Sequence, residues 1–175
     1  MAAEQDVIKI RSGTLHDAVS SLALQKAVVS EMNYLITLPE EFTDDLSRHT
    51  EWLEKIIDQD RETFIVAEIN GELAGWIVFQ SSHRKRLAHT GSLGMMVGAE
   101  HRGKGIGKLL VNALLEWAER NEDIKKVSLG VFSDNQRALS LYKKMGFQEE
   151  GRKVNEIQRS DNEFIDDVLL YKMVW

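Results

Sequence analysis

Cysteine is absent from this sequence of 175 residues. That excludes disulfides, thiolate nucleophiles and cysteine-ligated zinc together, and it fits a chain that works in the cytoplasm. Proline occurs once, at Pro39, and no Gly/Ser-rich stretch or block of like charge divides the chain. Residues 1–175 therefore read as a single domain, long enough to bury a core of its own. Long apolar runs are missing as well. None approaches the ~20 residues a bilayer span needs, and residues 1–6 lack the basic-then-apolar order of a signal peptide. Basic charge is scarce, with 22 Lys and Arg against 28 Asp and Glu and a net charge of −6. A broad nucleic-acid surface needs clustered cations, so neither nucleic acid nor membrane is an expected partner. The acidic balance is compatible with a cationic substrate, but solubility is the better account of it.

What is present alternates short strands with amphipathic helices, the pattern of an α/β (α+β) domain. Residues 7–10 alternate apolar and polar as a first strand. Thr14, three before Asp17, makes a capping box for a helix that runs towards Val29. Thr43, with Asp44 and Asp45 in the first turn, opens a second helix whose Leu46, Leu53, Ile56 and Ile57 recur at helical spacing. Between these helices residues 31–41 are irregular, and a loop of that length inside a compact domain is often functional. Residues 63–69 and 72–80 are β-rich and joined by Asn70-Gly71, a pair suited to a turn with both residues at positive φ. Residues 89–97 form a further strand, entered through the polar turn 82–86. Leu110, Ala113, Leu114, Trp117 and Ala118 make one face of a third helix, and residues 126–131 a strand. Ser133 with Gln136 forms a second capping box. It opens a helix that buries Ala138, Leu141, Tyr142 and Met145 and stops at Gly146 in the C′ position. Residues 147–152 and 167–174 close the chain as two strands.

The most informative stretch is Gly98-Ala99-Glu100-His101-Arg102-Gly103-Lys104-Gly105-Ile106-Gly107-Lys108, between a strand and the third helix. Glycines at alternate positions let backbone N–H groups turn inwards with no Cβ in the way. The helix start adds unpaired N–H groups and the positive end of its dipole. Arg102, Lys104 and Lys108 concentrate positive charge. Together these make an anion site, and phosphate is the anion such a loop suits. A nucleotide P-loop is not matched, because Gly98-x-x-x-x-Gly103-Lys104 continues with Gly105 where Ser or Thr would ligate magnesium. A dinucleotide fingerprint fails too: its last glycine falls on Leu110 when counted from Gly105, and on Lys108 when counted from Gly103.

Arg102-x-x-Gly105-x-Gly107 resembles the acyl-CoA signature of the GNAT acetyltransferase superfamily, which has Arg or Gln first, then Gly, then Gly or Ala at the same spacing. Its setting agrees, with the strand segment Leu93-Gly94-Met95-Met96-Val97 upstream and a long amphipathic helix downstream. A second block of that family is matched by Asn135, Ala138, Tyr142 and Gly146-Phe147, in the order Asn-x-x-Ala-x-x-x-Tyr-x-x-x-Gly-Phe. The resemblance runs from the first strand to the last, and the segment from Glu150 looks like the branch of amino-acid, polyamine and ribosomal-protein N-terminal acetyltransferases. It implies a three-layer fold in which a central mixed, mostly antiparallel sheet of about seven strands is flanked by about four helices. It also implies an acetyl-CoA-dependent N-acetyltransferase acting on a primary amine, either a small molecule or a peptide N-terminus. With no cysteine and no Gly-x-Ser-x-Gly elbow, direct attack in a ternary complex is expected rather than a covalent acetyl-enzyme.

The resemblance also implies roles. The loop of Arg102, Gly103, Lys104, Gly105, Ile106, Gly107 and Lys108 holds the acetyl-CoA pyrophosphate. The strand before it is splayed from its neighbour, so that the backbone of Met95, Met96 and Val97 bonds the pantetheine arm and polarises the thioester. Asn135 becomes a cofactor ligand, since Ser133 is expected to do the capping. Tyr142 becomes the general acid, a phenol near ~10 serving an alkyl thiolate near ~8.5, with core packing as the alternative for a residue on an apolar face. The general base is not specified; Glu31 in the long loop, His89 on a strand and a water chain to solvent are all candidates. Specificity is expected in the 31–41 loop and the late hairpin. His83 and His89 lack a third ligand, so no metal is expected, and the basic turn at 83–86 reads as solvated surface. A non-catalytic acyl-CoA sensor and, less well, a P-loop phosphotransferase stay open as other readings, as does a homodimer.

Overall fold

The computed structural model describes residues 6–175. The chain runs β1 (Ile8–Ser12), α1 (Ala18–Ser30), α2 (Leu46–Ile57), β2 (Thr63–Ile69), β3 (Glu72–Ser81), β4 (Thr90–Val97), α3 (Ile106–Arg120), β5 (Lys126–Phe132), α4 (Gln136–Lys144), β6 (Gln148–Ser160) and β7 (Glu163–Met173). The strands form one sheet in the order β1-β2-β3-β4-β5-β7-β6. Only β4 and β5 are parallel neighbours; every other pair is antiparallel. This is the three-layer, mixed and mostly antiparallel arrangement that the resemblance implies.

The central strands are apolar on both faces because both faces are covered. Ile65, Ala67, Ile77 and Phe79 pack against α3 with Leu110, Val111 and Leu114. The alternate residues Phe64, Val66, Trp76 and Val78 pack against Ala18 of α1 and Leu53 and Ile56 of α2. The β2–β3 turn has Asn70 at φ 52° and Gly71 at φ 86°, as the Asn-Gly pair predicts. The Thr14–Asp17 capping box forms, on a single 3-10 turn leading into α1. Arg11 clamps the Asp17 carboxylate at 2.7 Å and Glu68 at 2.6 Å, tying that turn to β1 and β2.

Several local expectations are corrected. Thr43 does not open α2; Asp45 is its N-cap and accepts from the Arg48 N–H at 3.1 Å, so Asp44 and Asp45 precede the helix. Ser133 does not cap α4 either. Asn135 does, accepting from the Ala138 N–H at 3.2 Å, while the Ser133 hydroxyl accepts from the Asp166 N–H at 3.1 Å and joins this turn to β7. The buried residues of α4 are Leu139 and Tyr142, with Ala138, Leu141 and Met145 half-buried. Finally, β6 and β7 reach well beyond the expected strands. Most of β6 is exposed, so no core-facing period marks its length.

One buried polar contact gives the fold a pH signature. His49 of α2 meets the Ser21 hydroxyl of α1 at 2.8 Å, and the Trp76 indole donates to the Ser21 carbonyl at 3.2 Å. Burial lowers the His49 pKa. The folded chain keeps His49 neutral to a lower pH than the unfolded chain, which protonates it near pH ~6.5. Its contribution to stability is therefore intact above that pH and is lost as pH falls through the interval between it and the lower folded-state value. Denaturant unfolding from pH 7.5 down to pH 5 should show this loss, and His49→Gln should flatten it. An unchanged slope in the variant would assign the effect elsewhere.

Candidate active site

The parallel ladder between β4 and β5 stops almost as soon as it starts. It pairs Thr90 with Lys126, Gly91 with Val127 and Ser92 with Ser128, and goes no further. β4 stays on β3 as far as Val97 opposite Gly75, and β5 stays on β7 as far as Phe132 opposite Asp167. Between residues 93–97 and 129–132 the sheet is thus split into a wedge. Each wall has one backbone edge released from the ladder, with N–H and C=O groups that require other partners. Met95 and Val97 pack towards α3, and Met96 packs towards the α1–α2 layer.

The glycine loop lies at the wide end of this wedge. Gly98 anchors its start by donating to the Ala74 carbonyl at 2.9 Å. Gly103 and Gly105 sit at φ 79° and 82°, and a Cβ at either would meet nothing within 4 Å. Their requirement is conformational, and the loop is open. Gly107 differs: a Cβ there would lie 3.3 Å from Met95 Cε and 3.5 Å from a Leu141 methyl, so this glycine lets α3 start close against β4 and α4. α3 has no side-chain cap. Among the described residues, none of the six backbone N–H groups from Gly103 to Lys108 finds an acceptor within the protein. Six such donors at a helix N-terminus form an anion cradle.

The loop's cations are not equivalent. Arg102 makes a bidentate pair with Glu31 at 2.6 and 2.9 Å and donates to the Val97 carbonyl at 3.0 and 3.2 Å. It ties the end of α1 to the end of β4. Lys104 pairs with Asp6 at 2.9 Å. Lys108 has no ion pair among the described residues and points its charge to an exposed surface of the first α3 turn.

On the opposite side of the wedge, α4 brings Asn135 and Tyr142. The Asn135 side-chain carbonyl is engaged in the cap, which leaves its amide N–H groups available to donate. Tyr142 is buried and packs edge-on against Phe147 at 5.5 Å. Its hydroxyl makes no hydrogen bond among the described residues, and burial pushes its pKa up to about 12. The two base candidates lie apart from it. Both Glu31 carboxylate oxygens face Arg102 beside the loop, and His89 is exposed at the closed end of the wedge, where its carbonyl accepts from Lys125 and Lys126.

The 31–41 loop and the late hairpin meet at the wall formed by β5. The Arg159 guanidinium lies 5.4 Å from the Tyr34 ring and 5.7 Å from the Phe132 ring, which pack edge-on to each other, and it pairs with Asp134 at 2.9 Å. Next to Phe132 is a residue that sequence reasoning missed. Asp167 of β7 is half-buried, its carboxylate makes no hydrogen bond or ion pair among the described residues, and desolvation raises its pKa. A Cβ on Gly130 of β5 would come within 2.7 Å of its carboxylate. The available signal was an Asp-Asp pair inside an apolar strand, together with a glycine inside the β5 run.

The sequence profile of the acetyltransferase (GNAT) family matches residues 30–147, the segment carrying the glycine loop and the Asn135–Phe147 block. The chain belongs to that family. It is 29% identical over 100 residues to the L-amino acid N-acetyltransferase AaaT of Escherichia coli K12, covering 57% of this chain and 62% of that protein. The chain thus spans just under two thirds of that relative. It is 29% identical over 126 residues to the spermidine N(1)-acetyltransferase of Vibrio cholerae, covering 71% of this chain and 70% of that protein. A GNAT-family acetyltransferase of Streptococcus pneumoniae has the same fold, with a TM-score of 0.91 and 27% identity over 96% of this chain and 100% of that one.

The contrast between Gly105 and Gly107 is testable. Gly105→Val forces a branched residue into the left-handed region, which should lower stability by about 1–2 kcal/mol and misdirect the N–H cradle. Acetyl-CoA binding, measured by calorimetry, should be abolished. Gly107→Ala adds a methyl that a flexible methionine end can yield to, and should retain binding. Equal effects of the two substitutions would contradict the separate roles.

Proposed function

We propose that the protein transfers the acetyl group of acetyl-CoA to a primary amine, on a small molecule or a peptide N-terminus, by direct attack in a ternary complex. The observation that carries this reading is the row of six acceptor-free N–H groups from Gly103 to Lys108 at the mouth of a split sheet. The pyrophosphate of acetyl-CoA is the ligand for that cradle, with Lys108 as its free cation. The released backbone of Met95, Met96 and Val97 takes the pantetheine arm, and the Asn135 amide adds a donor from α4. The names of the relatives, which act on L-amino acids and spermidine, support an amine acceptor.

In the chemical step the acceptor nitrogen's lone pair attacks the thioester carbon, the C–S bond breaks and its electron pair moves to sulfur. Tyr142 donates a hydrogen bond to that sulfur. A phenol held at about 12 keeps its proton throughout the neutral range. Against a thiol near ~8.5, complete transfer from it is uphill, so the proton follows only as charge builds on sulfur. The phenolate is restored by the proton that the acceptor nitrogen sheds through water. This balance requires neither Glu31 nor His89 as a dedicated base.

The reading is tested by release of CoA thiol across a panel of an L-amino acid, spermidine and a peptide beginning with alanine. Thermal stabilisation by acetyl-CoA but not by ATP should accompany it. A protein that acetyl-CoA stabilises but that acetylates none of these amines would instead be a sensor. Tyr142→Phe isolates the acid: kcat should fall by about 10²–10⁴-fold while acetyl-CoA affinity holds. Stability should be unchanged or improved, since the lost hydroxyl has no internal partner. Full kcat with chemistry rate-limiting would reduce Tyr142 to packing.

A further inference from the structure

The wall of the wedge opposite the donor carries a carboxylate for which the fold itself has no use. Asp167 sits on β7 directly across from Phe132, the last paired residue of β5. It faces the same side of the sheet as Gly130 and Phe132, the side away from Val131 and Val168, which are buried in the α3–α4 core. The carboxylate reaches over Gly130, within 2.7 and 3.2 Å of where a Cβ would stand. Gly130 belongs to the part of β5 that β4 has left, so the carboxylate leans across the strand towards the open wedge. Any larger residue at 130 would push it back.

Its surroundings do not neutralise it. Across β6 the register partner is Lys153, whose ammonium lies 3.6 Å from Glu156, so one cation and one anion face Asp167 from that strand. β5 presents only Gly130 and Phe132 beside it. Arg159, the nearby guanidinium, is paired with Asp134. The neighbouring Asp166 accepts from the Asn155 N–H at 2.9 Å and so has a structural task that Asp167 lacks. A half-buried anion with no partner is unfavourable, and a cation that docks beside it relieves that cost.

We propose that Asp167 is the residue that recognises the positive charge of the acceptor, holding its ammonium group at the β5 wall beside the Tyr34–Phe132 rings. This rests on the acetyltransferase reading, and it narrows the acceptor class to alkylammonium compounds that enter from the side of the 31–41 loop. Asp167 acts in binding: the nitrogen attacks only after it has lost a proton to water.

The test compares the wild-type protein with Asp167→Asn and Gly130→Ala on whichever amine of the panel is acetylated. Hydrogen bonds to charged groups set the scale, so Asp167→Asn should raise the amine KM by about 10- to 100-fold and change kcat little. Acetyl-CoA affinity, measured by calorimetry, should be unchanged. Asp167→Asn should unfold at the same or a higher temperature, because it removes a poorly solvated charge. Gly130→Ala leaves the carboxylate in the sequence but displaces it, and should raise KM in the same direction. Asp167→Glu should recover part of the loss. An Asp167→Asn protein with an amine KM within about twofold of wild type overturns the assignment while the acetyltransferase reading stands. A wild-type protein that acetylates no amine overturns that reading, and the assignment with it.

Discussion

A backbone N–H or C=O group shielded from water without a partner is costly, so a strand that leaves its neighbour must expose its edge or bind something along it. β4 leaves β5 after Ser92, while both strands keep their other partners for several residues more. The wedge is therefore bordered by two firm strands rather than by loops. A site built on strands holds its geometry better than one built on mobile segments. The glycine loop, α4 and the 31–41 loop are arranged around that opening, and they bring to it a row of backbone N–H groups, the Tyr142 phenol and the Tyr34–Phe132 ring pair.

Arg102 shows how one side chain serves the whole arrangement. Its pairing with Glu31 and the Val97 carbonyl fixes the end of α1 against the end of β4, at the point where the loop departs. The donors at the loop that no protein group engages, among the described residues, are thus the backbone N–H groups and Lys108. Because those N–H groups belong to the backbone, the pairing of Lys104 with Asp6 leaves the cradle in place.

The features that could be read in advance are those set by local chemistry. The Asn70-Gly71 turn, the Thr14 box, the glycine loop with its helix and the C′ position of Gly146 all follow from a few adjacent residues, and all form. The cap of α4 was misread because both Ser133 and Asn135 are competent, and only the strand behind decides. β7 takes the Ser133 hydroxyl, and Asn135 is left to close the helix. The outer part of β6 had no apolar period to reveal it, since neither face is covered. Asp167 and the Arg159 contact with Tyr34 join segments far apart in the chain. They become visible only when β7 is inserted between β5 and β6, an order that no local pattern encodes.

The brevity of the parallel ladder has a mechanical consequence. Among the described residues, the β1–β4 and β5–β7 parts of the sheet are joined by the three pairs from Thr90 to Ser92 and by the bonds from Lys125 and Lys126 to the His89 carbonyl, with α3 lying against the β1–β4 part. A relative tilt of the two parts would pivot at this closed end, against the apolar core that they share. The free part of β4, five residues of about 3.3 Å each, forms an arm of ~16 Å. A relative tilt of about 5° moves its tip by about 1.4 Å, close to the length of one carbon–carbon bond. The width between the walls would thus respond to a small tilt at the closed end as well as to the residues that line it. A ligand bonded to both walls would brace the two halves against each other.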